Sequence, residues 1–413
     1  MSQPRSIEAK LTRRDVPDGF PPHAILPDYS GFSILSVPAL IEAAFGRTSA
    51  NALVEEISPP RAERVLLLIV DGLGYRALER FRRENVVPAV NGLAERGTCV
   101  PLTSVFPSTT VTAMTSLATG LPPISHGMVG YRLYLRETSS ITDMIRLRPL
   151  DGDGAPFPEG KTPDLDALRP ASTHFERLTA SGVEAHVLLP RAIAGSGLSQ
   201  ILYQGASHVT PAVGFADMCV QARTILESAN GPTAVTMYWP GLDSVAHARG
   251  PETDACRAEA AAIDAVLGQQ LIGRLEGTLL LITSDHGFVT MAADDYRELS
   301  AFGDLPQRLS RLPVGEPRAS YFYIEDAASA RSQPPEALTD GLIRLGRDAA
   351  LGAGLLGIGA RHPEVSARLG DELVVSTGRS GIYHPYPDAP RLAGMHGGLT
   401  EAEMLVPLVL ASL

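Results

Sequence analysis

Four short apolar runs constrain this chain more than any other feature: Val65 to Val70, Ala185 to Leu189, Ala234 to Trp239 and Thr278 to Thr283. Each is too short for a helix and lacks the polar alternation of a half-exposed strand. Each reads as a strand, and Val65 to Val70, Ala234 to Trp239 and Thr278 to Thr283 as strands buried in the sheet. Helical patterns lie between them, running through Phe81, from Val87 to Arg96, and along the Ala-rich stretch Thr253 to Leu275. Strands alternating with helices predict an α/β fold: a mainly parallel central sheet with helices on both faces, whose sites form at the carboxyl ends of the strands. Two less regular stretches, about 131–180 and about 291–390, are expected as insertions over that rim. The second is read as a helical piece from Pro335 to Ala353 with strands at Arg318 to Ile324 and Glu372 to Ser376. Residues 1–61 carry Pro clusters and one helix near Pro38 to Phe45. They read as an N-terminal arm packing on a single α/β domain, 62–413.

Composition removes several classes of function. Of 413 residues, 44% are hydrophobic and 20% charged, the balance of a chain that buries a sizeable core. Lys plus Arg total 35 against 46 Asp plus Glu, a net charge of −11. A binder of nucleic-acid polymers needs a basic face to displace counterions, so none is expected. A small phosphorylated substrate held by local cations remains open. Cys99, Cys219 and Cys256 are odd in number and far apart, which excludes a disulfide framework and argues against thiolate-bound metal. No apolar run is long enough to span a bilayer, and the first twenty residues lack the apolar core of a secretory signal. The expectation is a soluble, cytoplasmic protein with no membrane partner. Its oligomeric state is left open. Gly352 to Gly357 spells GxGxxG, but a helical pattern rather than a buried strand precedes it, so no dinucleotide site is expected.

Four motifs carry the chemistry. Asp71 ends the first buried run and alone would be an ordinary turn residue. Asp243 and His247 stand four apart, which on a helical turn puts carboxylate and imidazole on one face; alone they would be a surface pair. Asp285-His286 follows another buried run, where an uncompensated charge is costly. His396 lies between Gly394 and Gly397-Gly398. Together these supply six nitrogen and oxygen ligands and no sulfur, which suits two divalent cations, zinc foremost. Such a pair stabilises the attacking and leaving oxygens of phosphoryl transfer. Hydroxyls follow Pro107 at Ser108, Thr109 and Thr110, where a helix should begin and Gly120 should end it. One of them can cap the helix while a neighbour attacks.

These motifs make the chain resemble the alkaline phosphatase superfamily and, within it, the type I phosphodiesterase/nucleotide pyrophosphatase family. The resemblance rests on Leu66 to Gly72, Phe106 to Thr110, Thr119 to Gly127, Tyr238 to His247, Thr283 to Gly287 and His396 to Thr400. It implies an alkaline-phosphatase-like sandwich. One zinc would be held by Asp243, His247 and His396, the other by Asp71, Asp285 and His286. Thr110 would be the nucleophile and a further ligand of the second zinc, with Thr109 its competitor one residue upstream. His126 matches a position that is not a ligand. The implied activity is hydrolysis of phosphodiesters or nucleotide pyrophosphates through a phosphothreonine. The alternatives are a phosphomonoesterase or phosphonate hydrolase on the same scaffold, and a non-catalytic metal-binding protein. One departure bears on substrate. The family's usual Asn about twenty residues after the nucleophile is replaced by Val129-Gly130-Tyr131-Arg132, which makes Tyr131 and Arg132 the candidate substrate-binding residues.

Overall fold

The computed structural model describes all residues except 1, 2, 14, 49, 151–156, 158–160, 170, 171, 326 and 387–389. The parts of the 131–180 and 291–390 stretches at those numbers therefore lie outside the described residues.

The apolar runs form strands Arg64–Val70, Glu184–Pro190, Thr233–Trp239 and Thr278–Thr283. They belong to a seven-stranded sheet ordered 98–103, 405–412, 278–283, 64–70, 233–239, 184–190, 208–212. Strand 64–70 pairs in parallel with 233–239 and 278–283, and 184–190 in parallel with 233–239 and 208–212. Alternate residues of strand 64–70 enter different cores. Leu66, Leu68 and Val70 pack with helices Tyr75–Arg83, Pro88–Arg96, Phe215–Ser228 and Asp254–Gln270. Val65, Leu67 and Ile69 pack on the other side with helices Val37–Ala44, Thr110–Thr119 and His174–Ala180. Both faces of this strand are thus covered, which is why it needs apolar residues at every position, whereas strand 184–190 nearer the edge carries exposed Glu184 and half-buried His186.

One strand breaks the parallel pattern. Leu405–Ser412 runs antiparallel to both 278–283 and 98–103. The chain reaches it from the carboxyl rim, where the Gly287 N–H donates to the Glu403 carbonyl, so it can only run back down the sheet. Strand Thr98–Thr103 forms the sheet's edge and tolerates Pro101 there.

Over the rim lies a second sheet of eight strands, ordered 336–337, 342–346, 372–376, 319–322, 314–316, 132–135, 140–143, 148–149. The pairing of Gly315 with Arg132 joins strands from both irregular stretches into this one layer. The helix expected over Pro335 to Ala353 is mostly absent. Asp340 and Gly341 adopt left-handed backbone, strand Leu342–Gly346 follows, and only Arg347–Gly352 is helical. Leu342, Ile343 and Leu345 are buried against partners in strand 372–376, and that pairing overrides the local helical pattern. Residues 3–61 include helices Gln3–Thr12, Val37–Ala44 and Ala52–Ile57, and Ile7, Leu11, Ile34, Leu40 and Leu53 are buried in the main core. All three cysteines are free and buried. Among the described residues no helix is long and apolar enough to cross a membrane.

Candidate active site

The motif residues meet at the carboxyl rim. Strand 64–70 ends at Val70 and delivers Asp71, whose Oδ2 accepts from the Tyr238 hydroxyl at the end of the neighbouring strand. Gly72 has φ +77°, and a Cβ there would lie 2.5 Å from the Phe288 ring, so the turn accepts only glycine. Its N–H donates to Asp285 Oδ1 at 3.2 Å, which ties the turn to the end of strand 278–283. Helix Gly241–Arg249 presents Asp243 and His247 one turn apart.

These residues form two triads, Asp71–Asp285–His286 and Asp243–His247–His396, in each of which the ligand atoms lie within 4.8 Å of one another. The hydrogen bonds fix what the imidazoles can do. Nδ1 of His247 faces the Gly394 carbonyl at 2.8 Å, Nδ1 of His396 the Ser108 carbonyl at 3.0 Å, and Nδ1 of His286 the Gly287 carbonyl at 3.2 Å. A carbonyl only accepts, so each Nδ1 carries the proton and each Nε2 a lone pair. Those lone pairs converge on carboxylates. His286 Nε2 is 3.4 Å from both Asp71 Oδ1 and Asp285 Oδ2, and His247 Nε2 is 3.3 Å from Asp243 Oδ1. Asp71 Oδ1, Asp285 Oδ2 and Asp243 Oδ1 are buried without a hydrogen-bond partner. His247 Nε2 and His396 Nε2 face each other at 3.2 Å. Acceptors aimed at acceptors repel unless a cation lies between them, so the residues present fit two divalent ions.

The electrostatics agree. Burial, then the charges of Asp243 and Asp285, push the Asp71 carboxyl well above its ordinary value. Burial also raises Asp243. Burial, then His286 and His247, hold His396 well below the usual imidazole range. Asp71, Asp243 and His396 each resist charging on their own, and a bound cation would reverse the two carboxylate shifts.

Thr110 begins helix Thr110–Thr119, with its Oγ1 3.2 Å from His286 Nε2. The expected capping by Ser108 or Thr109 does not occur. Ser108 Oγ donates to the Gly398 carbonyl at 2.9 Å, and Thr109 Oγ1 donates to Glu316 Oε1 at 2.7 Å. The first N–H groups of this helix are therefore left without side-chain caps beside the Thr110 hydroxyl. His126 is buried between the Met128 N–H at 3.1 Å and the Ser116 hydroxyl at 3.0 Å, away from the triads.

A cavity of about 320 Å³ opens above Thr110 and Asp243, lined also by Tyr131, Arg132, Arg146, Glu316 and His384. Tyr131 contributes its ring, because its hydroxyl donates to Asp143 Oδ2 at 3.0 Å. Arg132 is buried, with Nε lacking a partner and its guanidinium 4.9 Å from the Tyr386 ring centroid. Sequence reasoning missed Glu316. Its Oε1 accepts from Thr109 and from the Tyr131 N–H at 2.9 Å, and burial raises its pKa. The one available signal was a Glu and an Arg inside the otherwise uncharged Val314 to Ile324.

Comparison with known proteins gives a consistent picture. The sequence model of the type I phosphodiesterase/nucleotide pyrophosphatase family matches residues 65–336. No curated protein sequence matches the chain. Among solved structures, murine ectonucleotide pyrophosphatase/phosphodiesterase 5 is similar at a TM-score of 0.61 and 17% identity, over 84% of this chain and 87% of that one. An inactive variant of that murine protein, solved in complex with AMP, is similar at a TM-score of 0.62 and 16% identity, over 84% of this chain and 87% of that one. Phosphonoacetate hydrolase from Sinorhizobium meliloti, solved in complex with phosphonoformate, is similar at a TM-score of 0.59 and 21% identity, over 85% of this chain and 91% of that one.

Proposed function

We propose, for a chain that belongs to the type I phosphodiesterase/nucleotide pyrophosphatase family and is accordingly a hydrolase, that Thr110 cleaves small phosphodiesters or nucleotide pyrophosphates in two displacements. Asp71, Asp285 and His286, joined by Thr110, would hold one zinc; Asp243, His247 and His396 would hold the other. Bound there, the ions would lower the pKa of the Thr110 hydroxyl and neutralise charge on the phosphoryl oxygens. Thr110 Oγ1 attacks phosphorus and forms an O–P bond. The bond to the leaving oxygen breaks, and that oxygen departs with the electron pair. Water then attacks phosphorus of the phosphothreonine ester, the P–Oγ1 bond breaks, Oγ1 recovers a proton from that water, and the phosphomonoester is released. The uncapped N–H groups at the start of the helix would receive phosphoryl oxygens. Arg132 would pair with the substrate's anionic end.

The observation that carries this reading is the set of three Nε2 lone pairs and three unpartnered carboxylate oxygens converging beside Thr110. Its test is mass spectrometry of protein quenched in acid during turnover of bis-p-nitrophenyl phosphate. A p-nitrophenyl phosphoryl group on Thr110, left after one p-nitrophenolate departs, is expected. Turnover without one, or with one on Thr109, would overturn the assignment.

A second reading, a phosphomonoesterase or phosphonate hydrolase, is favoured by Arg132, whose buried Nε has no hydrogen-bond partner and lines the cavity beside Thr110, where it could meet the extra charge of such a substrate in competition with Glu316. The readings separate when kcat/KM for bis-p-nitrophenyl phosphate and p-nitrophenyl phosphate is compared in wild type and Arg132→Ala. The diester reading expects the diester to lead in both. A monoester preference in wild type that collapses in Arg132→Ala would promote the second reading.

A further inference from the structure

We propose that Glu184, His186 and His208 form a third divalent-metal site, on the outer edge of the central sheet and separate from the rim. Glu184 and His186 are two apart in strand Glu184–Pro190, so their side chains share a face. His208 opens strand His208–Ala212, the sheet's last strand, and lies directly opposite His186 in the parallel register. Three ligand-bearing side chains therefore project together from two rigid strands. Nε2 of His186 and Nε2 of His208 lie 3.1 and 3.3 Å from the same Glu184 Oε1. The rings stack at 4.8 Å between centroids and 27° between planes. One donor atom from each of the three side chains falls within 4.8 Å of the others, the same closeness found in the two rim triads.

The donor set is two imidazole nitrogens and one carboxylate oxygen, with no sulfur. It suits zinc, nickel or copper in the divalent state, leaving a further position for water. Access follows from exposure: His186 is largely covered, whereas Glu184 and His208 stand in solvent. The site is independent of the hydrolytic reading. His186 pairs with Val235, four residues before Trp239 at the rim, which is roughly 13 Å along the strand. An ion here would clasp the edge strand to its only neighbour in the sheet, adding three coordinate bonds where the backbone ladder is one-sided.

The test counts zinc. Wild type, His208→Ala, Glu184→Gln and His208→Asp are dialysed against the same free zinc concentration, analysed for metal, and melted with and without excess zinc. His208→Ala and Glu184→Gln should each hold one zinc fewer than wild type and lose most of the zinc-dependent rise in melting temperature. Both should keep wild-type turnover of bis-p-nitrophenyl phosphate. His208→Asp, which restores a ligand, should recover the ion. Equal zinc content and equal zinc-dependent shifts in all four proteins would overturn the proposal and leave a carboxylate–imidazole ion pair in its place.

Discussion

Thr109 and Thr110 are adjacent hydroxyls with opposite surroundings, and each surrounding dictates a different outcome of substitution. Thr110 faces His286, so Thr110→Ala should abolish turnover of bis-p-nitrophenyl phosphate while metal analysis still finds most of the zinc. Thr109 donates to the buried Glu316 carboxylate, and Thr109→Ala leaves that oxygen only the Tyr131 N–H. Thr109→Ala should cost about 1–3 kcal/mol in urea unfolding, the range for a buried acceptor that loses a donor, and should retain the larger share of activity. His126 supports a second prediction at this scale. Burial, then the charges of His362 and Arg368, lower its pKa to about 3. The unfolded chain takes up a proton near pH 6.5 and the folded chain does not, so the stability from the neutral ring is complete above that pH. It is lost as pH falls toward the folded value, by about 1.4 kcal/mol per unit. Urea unfolding at pH 7 and pH 5 should give a steeper pH dependence in wild type than in His126→Gln. Equal slopes would show that the ring titrates normally in the folded protein.

At the scale of elements, the segment bearing His396 is anchored by a buried ion pair in addition to its bonds with Ser108. Arg318 Nη2 donates to Glu403 Oε2 at 2.8 Å, and both side chains are fully buried. Glu403 Oε1 also accepts from the Gly398 N–H at 2.9 Å, two residues beyond His396. Removing one partner of such a pair leaves the other charge buried and costs about 3–5 kcal/mol. Glu403→Gln should therefore lower the urea midpoint. It should also weaken zinc at the Asp243–His247–His396 triad before the Asp71–Asp285–His286 triad, so that zinc content falls from two rim equivalents toward one. Loss of both rim ions together would show that the segment does not position His396. Helix Thr110–Thr119 ends at Gly120, with φ +74° and its N–H bonded to the Ser116 carbonyl at 2.7 Å. Gly120→Ala should cost about 1 kcal/mol through the left-handed backbone alone, because no atom comes nearer than 3.6 Å to the added Cβ.

Across the whole molecule the two sheets divide the work: the carboxyl rim of the central sheet gathers the two candidate triads, and the second sheet with the residue before its strand 132–135 roofs them with Glu316, Arg132 and Tyr131. Removal of divalent ions by a chelator should abolish hydrolysis, and zinc should restore it. A chelator-treated protein, free of metal by elemental analysis and still fully active, would end the two-ion reading. The net charge of −11 makes association with an anionic substrate slower at low ionic strength, apart from the local field of Arg132 and Arg146.

The amino-acid sequence by itself determined the doubly covered sheet and singled out the six candidate ligands, because both are marked in local pattern, whereas the division of the six into two triads rested on the family resemblance and joins residues far apart in the chain. A strand buried on two faces must be apolar at every position, and Asp71 and Asp285 stand at the ends of such runs, with Asp243 a few residues beyond another. Only the tertiary structure decided what roofs the site. The Thr109–Glu316 bond joins residues 207 apart in the chain, and the pairing of Gly315 with Arg132 makes one sheet from two stretches that each read as irregular. The same holds for the reversed strand 405–412 and for the strand at 342–346 where a helix was expected. Strand partners are chosen by burial and ladder bonds between distant segments, so a local pattern cannot report them.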